Sequence, residues 1–271
     1  MSKNILTEEF GANLSPVKCQ VMEYWEKNVT NWKIATAEPG SDEYFKQVES
    51  YRFSKLDYLP KRVNYSGYSG QSVLDVGCGL GTDLARFVSG GSKGTGIDLC
   101  SRAIDMARKN FAHRGLEAEF IQMDGEAMGF EDNSFDIIYC HTVYHFTPDP
   151  VKMMTEIHRV LKPGGTAIIM TINRLSWLYF MHRFAKMKID YMDAPVFKKY
   201  SVAEFKKSLD VFSRVDLIVE RFPVRTEVHK GVKALLYNTF FVDLYNAMPK
   251  SLIGNTGYHL LAFAHKIDTS H

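Results

Sequence analysis

Three glycines at alternate positions, Gly77, Gly79 and Gly81, follow the apolar run Val73-Leu74-Asp75-Val76. Residues without a Cβ can take positive φ and let a ligand approach bare backbone. The spacing falls short of the dinucleotide fingerprint G-x-G-x-x-G, because Thr82 stands where the third glycine belongs. A phosphate-binding P-loop is excluded, since no Lys followed by Ser or Thr comes after the last glycine. Asp75, beside the loop, repels a pyrophosphate but suits a ligand carrying an ammonium or sulfonium. Further acids end the next apolar runs. Asp98 closes Gly94–Ile97 about 20 residues past the loop, where a carboxylate can accept both hydroxyls of a ribose. Asp124 closes Glu119–Met123 and is followed by Gly125 and Glu126. A fourth run, Phe135–Cys140, leads into His141-Thr-Val-Tyr-His145. His141 and His145 can each serve as a general base near neutral pH or hydrogen-bond the loop that carries them.

These residues need a scaffold that brings strand ends together. Alternating strand and helix patterns predict an α/β core beginning near residue 70. Open α/β sheets bind ligands outside the carboxyl ends of their strands, so four successive polar strand ends imply one cleft. A helix capped at Ser101 presents Ile104, Ala107 and Phe111 to the sheet and ends at Gly115. Another opens at Asp149-Pro150, with Met154, Ile157 and Leu161 inward. Pro163-Gly164-Gly165 turns into a fifth strand, Thr166–Ile172. Ser201 caps a helix over Val202–Leu209, and Val215–Glu220 and Gly257–His265 read as the sixth and seventh strands. Ahead of the core, residues 1–69 form a helical extension. Ser15-Pro16 starts one helix, and a second spans Ser41–Leu59 until Pro60 stops it. Residues 173–200 and 222–255 are long aromatic and apolar insertions, read either as packing of lid helices or as an apolar acceptor pocket.

The chain has 271 residues, enough for a full core, and 45% hydrophobic and 24% charged residues, ordinary for a globular protein. A formal net charge of +2 gives no argument for a nucleic-acid or anionic-membrane partner, and without a basic stripe no nucleic acid is expected. The four cysteines, Cys19, Cys78, Cys100 and Cys140, have no metal-ligand spacing and read as reduced thiols of a cytoplasmic protein. No run is long and apolar enough for a membrane span.

The segments Asp75–Gly81, Asp98, 124–136 and the Val160–Gly165 turn resemble class I S-adenosylmethionine-dependent methyltransferases. Within that family they are similar to the small-molecule branch that serves ubiquinone and menaquinone biosynthesis. The resemblance covers about residues 70–172. It implies a Rossmann-like seven-stranded sheet, mostly parallel with an antiparallel last strand, and helices on both faces. A methyltransferase domain over 70–271 would carry the N-terminal lid of 1–69 and the two insertions. The implied cofactor is S-adenosyl-L-methionine, leaving as S-adenosyl-L-homocysteine, with no metal. Asp75, Gly77, Cys78, Gly79 and Gly81 would face its amino-acid part. Asp98 and Leu99 would meet its ribose, and Asp124, Gly125 and Glu126 its adenine. His141 would lie over it, facing the acceptor. His141 and His145 are the catalytic candidates, and Tyr51, Tyr144 and His145 the acceptor contacts. Tyr144 stands where the family often has a histidine. Arg52 either meets the cofactor's carboxylate or lies solvated on its helix.

The expected activity is methyl transfer to a small, apolar or aromatic molecule on O, N, S or C, by a monomer or homodimer that is not an integral membrane protein. The alternatives are a non-catalytic methyltransferase-like scaffold subunit, or a peripheral-membrane enzyme acting on a lipid or quinone.

Overall fold

The computed structural model describes residues 14–29, 35–187, 189–224 and 236–267. Residues 1–13 of the N-terminal extension and 225–235 of the second insertion lie outside them. Seven strands make one sheet: β1 (Ser72–Val76), β2 (Lys93–Asp98), β3 (Glu119–Gln122), β4 (Phe135–His141), β5 (Leu161–Ile172), β6 (Arg214–Glu220) and β7 (His259–His265). Their order is β3-β2-β1-β4-β5-β7-β6. β1 to β5 pair in parallel, and β7 lies antiparallel between β5 and β6, as expected for this fold class. The order reverses between β1 and β4, which opens a crevice at the carboxyl ends of the parallel strands.

In chain order the helices are α1 (Pro16–Asn28), α2 (Asp42–Lys55), α3 (Leu59–Arg62), α4 (Thr82–Ser89), α5 (Ser101–Arg114), α6 (Pro150–Val160), α7 (Trp177–Ala185), α8 (Val202–Ser208), α9 (Val242–Ala247) and α10 (Lys250–Ile253). A short π-helix, Leu236–Phe241, precedes α9. One face of the sheet packs Ile138, Cys140 and Ile169 against Met154 and Ile157 of α6 and Phe205 of α8. The other packs Ile137, Tyr139 and Ile168 against Leu84 and Phe87 of α4, and Ile104 and Phe111 of α5. A third cluster, with Trp177, Leu178, Tyr237 and Tyr245, joins the two insertions. Each large apolar side chain buried in this way stabilises the fold by about 1.5–3 kcal/mol.

Several boundaries differ from the sequence reading for local reasons. α2 ends at Lys55, and Leu56 leaves the helical region at φ −117°, ψ 50°. Pro60 therefore stops nothing; it sits in the first turn of α3, where its missing N–H costs no hydrogen bond. Cys100 caps α5 through its thiol, because Ser101 is taken up by Glu26 of α1: the backbone N–H and Oγ of Ser101 donate to Oε1 at 2.6 and 3.0 Å. Leu161 opens β5 rather than closing α6. The Ser201–Glu204 capping box of α8 forms as its sequence suggests.

One buried amide ties the start of β7 to the end of β5. Asn173 Nδ2 donates to the carbonyls of Asn255 and Gly257, each at 2.8 Å, and its Oδ1 accepts from the N–H of Leu175 at 3.0 Å. Asn173→Ala leaves these buried groups unpaired and should destabilise the fold by about 2–3 kcal/mol, read as a lower urea midpoint at unchanged slope.

Candidate functional site

The glycine loop joins β1 to α4 and is bent by backbone that only glycine tolerates well. Gly77 has φ +71°, and a Cβ there would lie 2.3 Å from Cγ2 of Val143. Gly79 has φ +55°, and a Cβ there would meet nothing within 4 Å. The first glycine serves packing between the loop and the β4 end, while the second borders open space. Gly79 N–H donates to Asp98 Oδ2 at 3.0 Å, and the N–H of Cys100 donates to Asp98 Oδ1 at 2.9 Å. Asp98 is thereby held against the loop at the end of β2. Burial pushes its carboxyl up to about 6, against the pull of these backbone donors. Asp75 is also buried, and burial with Asp83 and Asp98 nearby holds its carboxyl well above the usual range. Cys78 is buried with its thiol pushed up, and its Sγ lies beside Gly96. Leu99 contributes a carbonyl that accepts from Gln122 Nε2 at 3.1 Å.

Beyond β3, Asp124 forms an ion pair with Lys18 of α1, and Lys18 also reaches Glu126 at 2.7 Å. Burial opposes the charge of Lys18, but the two carboxylates raise its pKa overall. Glu126 further accepts from Thr147 Oγ1 and, at 2.8 Å, from the N–H of Asp149. Its side chain is committed to joining three segments, so only its backbone is left for a ligand. Gly125 lies against Met153 and Val76, where a Cβ would crowd both at about 3 Å. α1 is thus latched over the acids read as the adenine end of the cleft.

At the end of β4, His141 is buried and stacks on Tyr139 with ring centroids 5.7 Å apart. Its Nδ1 lies 3.1 Å from Arg52 Nη2, and its Nε2 lies 3.1 Å from the hydroxyl of Tyr58. Burial, and then Arg52, hold its pKa well below the ordinary value, so the imidazole is neutral. Arg52 is not solvated: its side chain is only 13% exposed and ion-paired with Asp83 of α4. The residue after His141, Thr142, sits at φ +64°, a conformation strained for a β-branched side chain and worth of order 1–3 kcal/mol. His145 is buried, and burial lowers its pKa to about 3. Among the described residues its Nδ1 has no hydrogen-bond partner. Its ring lies 4.3 Å from Phe146 and 5.8 Å from Phe197, and Phe146 in turn packs on Trp25 of α1, which touches Tyr191. These aromatic rings come from α1, the β4 loop and the first insertion.

Two expected acceptor contacts have different fates. Tyr51 accepts from Lys55 Nζ at 3.0 Å on the side where Lys55 pairs with Asp190 of the first insertion. Tyr144 is a correction. It is 1% exposed and packs on Tyr200 and Phe205 in the core behind the sheet. It packs in the same core cluster as Ile138 and Cys140, placed there by the turn that follows β4. The residues missed by sequence are Lys18, Tyr58, Asp83, Arg221 and His259. None has a local pattern, and all acquire partners only through tertiary contacts. Among the described residues no cluster of His, Cys, Asp or Glu could hold a metal, and no helix is long and apolar enough to cross a membrane.

Sheet order, switch point and glycine loop together define a Rossmann-like domain. Residues 74–169 match the family model described as a methyltransferase domain. The chain is 32% identical over 152 residues to the ubiquinone biosynthesis O-methyltransferase of Pseudomonas paraeruginosa, covering 54% of this chain and 65% of that one. The chain thus spans just under two thirds of that curated relative. A SAM dependent methyltransferase from Aquifex aeolicus shares the fold with a TM-score of 0.55 at 19% identity, over 84% of this chain and 99% of that one. The (4+2)-cyclase SpnF shares it with a TM-score of 0.59 at 19% identity, over 92% and 95%.

The raised pKa of Asp98 has a measurable sign. Its folded value, about 6, lies above an unfolded value of about 3.9, so the native state holds the proton more tightly. Asp98 by itself contributes a fall of roughly 2–3 kcal/mol as pH rises from about 4 to about 6, superposed on the opposite contribution of the buried, neutral His141, His145 and His259. In a series of urea melts across the window, the stability of Asp98→Asn relative to wild type should therefore rise by about that amount.

Proposed function

We propose that this protein transfers a methyl group from S-adenosyl-L-methionine to a small apolar or aromatic acceptor. The observation that carries the reading is the open space at Gly79 beside the part-buried Asp98 carboxylate, at the switch point of the sheet. Asp75, Gly77, Cys78, Gly79 and Gly81 would hold the cofactor's amino-acid part. Asp98 and Leu99 would hold its ribose, and Asp124, Gly125 and the backbone of Glu126 its adenine. The cofactor supplies a methyl group already activated by its sulfonium, so the protein's task is alignment and exclusion of water. Alignment of this kind contributes up to about 7–11 kcal/mol in well-oriented systems. Trp25, Phe146, Tyr191 and Phe197 offer an aromatic wall for the acceptor, and α1 covers it.

His145 is the better candidate for receiving a proton, because its Nδ1 has no partner among the described residues. His141 has both ring nitrogens engaged by Arg52 and Tyr58, which suits positioning better than proton transfer. A weakly basic His145 is sufficient for an acceptor whose proton becomes strongly acidic as its heteroatom is methylated. The similarity to a ubiquinone biosynthesis O-methyltransferase makes a hydroxyl oxygen on an aromatic molecule the first acceptor to try. We further place the protein in the cytoplasm as a monomer or homodimer.

Calorimetry with S-adenosyl-L-homocysteine should show one site per chain. No binding would overturn the proposal and favour the scaffold alternative. In an S-adenosyl-L-homocysteine release assay on phenolic acceptors, His145→Ala should lower turnover by about 100-fold with cofactor affinity unchanged. A His145→Ala enzyme of normal turnover would remove the base assignment.

A further inference from the structure

Tyr58 stands at the centre of a buried chain of hydrogen-bonding groups that ends in an arginine on each side. Arg52 Nη2 is 3.1 Å from His141 Nδ1, and His141 Nε2 is 3.1 Å from Tyr58 Oη. Tyr58 Oη is 2.7 Å from His259 Nδ1, and His259 Nε2 is 3.1 Å from Arg221 Nη1. A guanidinium can only donate. Both imidazoles are held neutral, chiefly by burial, so each carries one N–H. Their outer nitrogens must accept from the arginines, and their inner N–H groups therefore point at Tyr58. The phenol oxygen accepts both. The four contacts are then filled without the phenol's own proton, and among the described residues no further acceptor lies within hydrogen-bond distance of it.

The count does not depend on the tautomers chosen. Two arginine N–H groups, two imidazole N–H groups and one phenol O–H face four contacts, so one proton is always in surplus. Only the hydroxyl can turn toward a third partner, because every imidazole nitrogen in the chain is already used. Burial, with Glu220 and Asp83 nearby, keeps that proton on the oxygen against the pull of Arg221 and Arg52. The charges do not cancel fully. Among the described residues Asp83 pairs with Arg52 and Glu220 with Arg62, while Arg221 is stacked on the Tyr258 ring and directed at His259. Arg221 is held in this pose at φ +59°, a left-handed conformation unusual for a side-chain-bearing residue. Strained backbone at such a place is a pointer to function.

We propose that Tyr58 donates its surplus proton as a hydrogen bond to an anionic oxygen of a ligand in the cleft, the oxygen of a phenolate acceptor or the carboxylate of the cofactor. This inference rests on the methyltransferase reading for the identity of the cleft but not for its readout. The residue acts by binding: it favours the ionised form of the ligand oxygen and takes no proton itself.

The test uses the whole protein and 4-nitrophenol, whose phenolate absorbs visible light, with nitrobenzene as the uncharged control. Wild type should bind 4-nitrophenol more tightly than nitrobenzene and lower its pKa. Tyr58→Phe should weaken 4-nitrophenol binding about 10-fold or more and leave nitrobenzene unchanged. Arg221→Met should also remove the preference, because His259 can then turn and accept the Tyr58 proton, moving the surplus away from the cleft; this variant serves if Tyr58→Phe fails to fold. If the carboxylate is the ligand oxygen, Tyr58→Phe should instead weaken S-adenosyl-L-homocysteine about 10-fold or more and spare 5′-methylthioadenosine, which lacks it. Unchanged binding of all four compounds to folded Tyr58→Phe would overturn the proposal. Absence of S-adenosyl-L-homocysteine binding by wild type would overturn the methyltransferase reading instead, whatever the phenol does.

Discussion

The buried guanidinium of Arg52 is the contact on which the rest of the site depends. It enters from α2, forms an ion pair with Asp83 in the first turn of α4, and touches His141 at the end of β4. A charge taken out of water costs several kcal/mol unless it is paired, and removing one partner of such a pair typically costs about 3–5 kcal/mol. The N-terminal extension is therefore part of the domain's electrostatic structure. It cannot lift away without exposing or orphaning Asp83, whose helix begins at the glycine loop. The loop, the lid and the β4 end are set relative to one another by this one cation.

A second cation performs the matching task at the other end of the cleft. Lys18 of α1 bridges Asp124 and Glu126, and Glu126 in turn gathers Thr147 and Asp149. The carboxylates that suit a ligand are thus balanced by positive groups from the same extension. Asp124 and Glu126 are held by a cation and by hydrogen bonds from neighbouring segments. This is the economy of a preorganised site: the polar groups are fixed before the ligand arrives.

The fold does not by itself select the reaction. A SAM dependent methyltransferase from Aquifex aeolicus and a (4+2)-cyclase both share this architecture at about one fifth identity. Around the sheet this chain carries the aromatic wall of Trp25, Phe146, Tyr191 and Phe197, and facing imidazoles at the end of β4 and the start of β7. Function resides in such grafted groups more than in the scaffold.

The strands, the glycine loop and the acids at 98 and 124 were legible in the sequence because each is local. Periodicity marks a strand, a missing Cβ marks a turn, and an acid at a strand end needs no distant partner to be recognised. The same locality explains the errors. Ser101 looks like a cap until Glu26 takes its hydrogen bonds, and Tyr144 looks like a cleft residue until its face of the sheet is known. Arg52 reads as a surface arginine because Asp83 lies 31 residues away. Tyr58 and His259 are 201 residues apart, and only the insertion of β7 between β5 and β6 brings that histidine to the carboxyl end of the sheet. The sequence alone determined the class of fold and the glycine turn that follows β1. Tertiary structure decided which charges are buried and which donors converge, because burial and pairing are properties of neighbours in space that no spacing along the chain encodes.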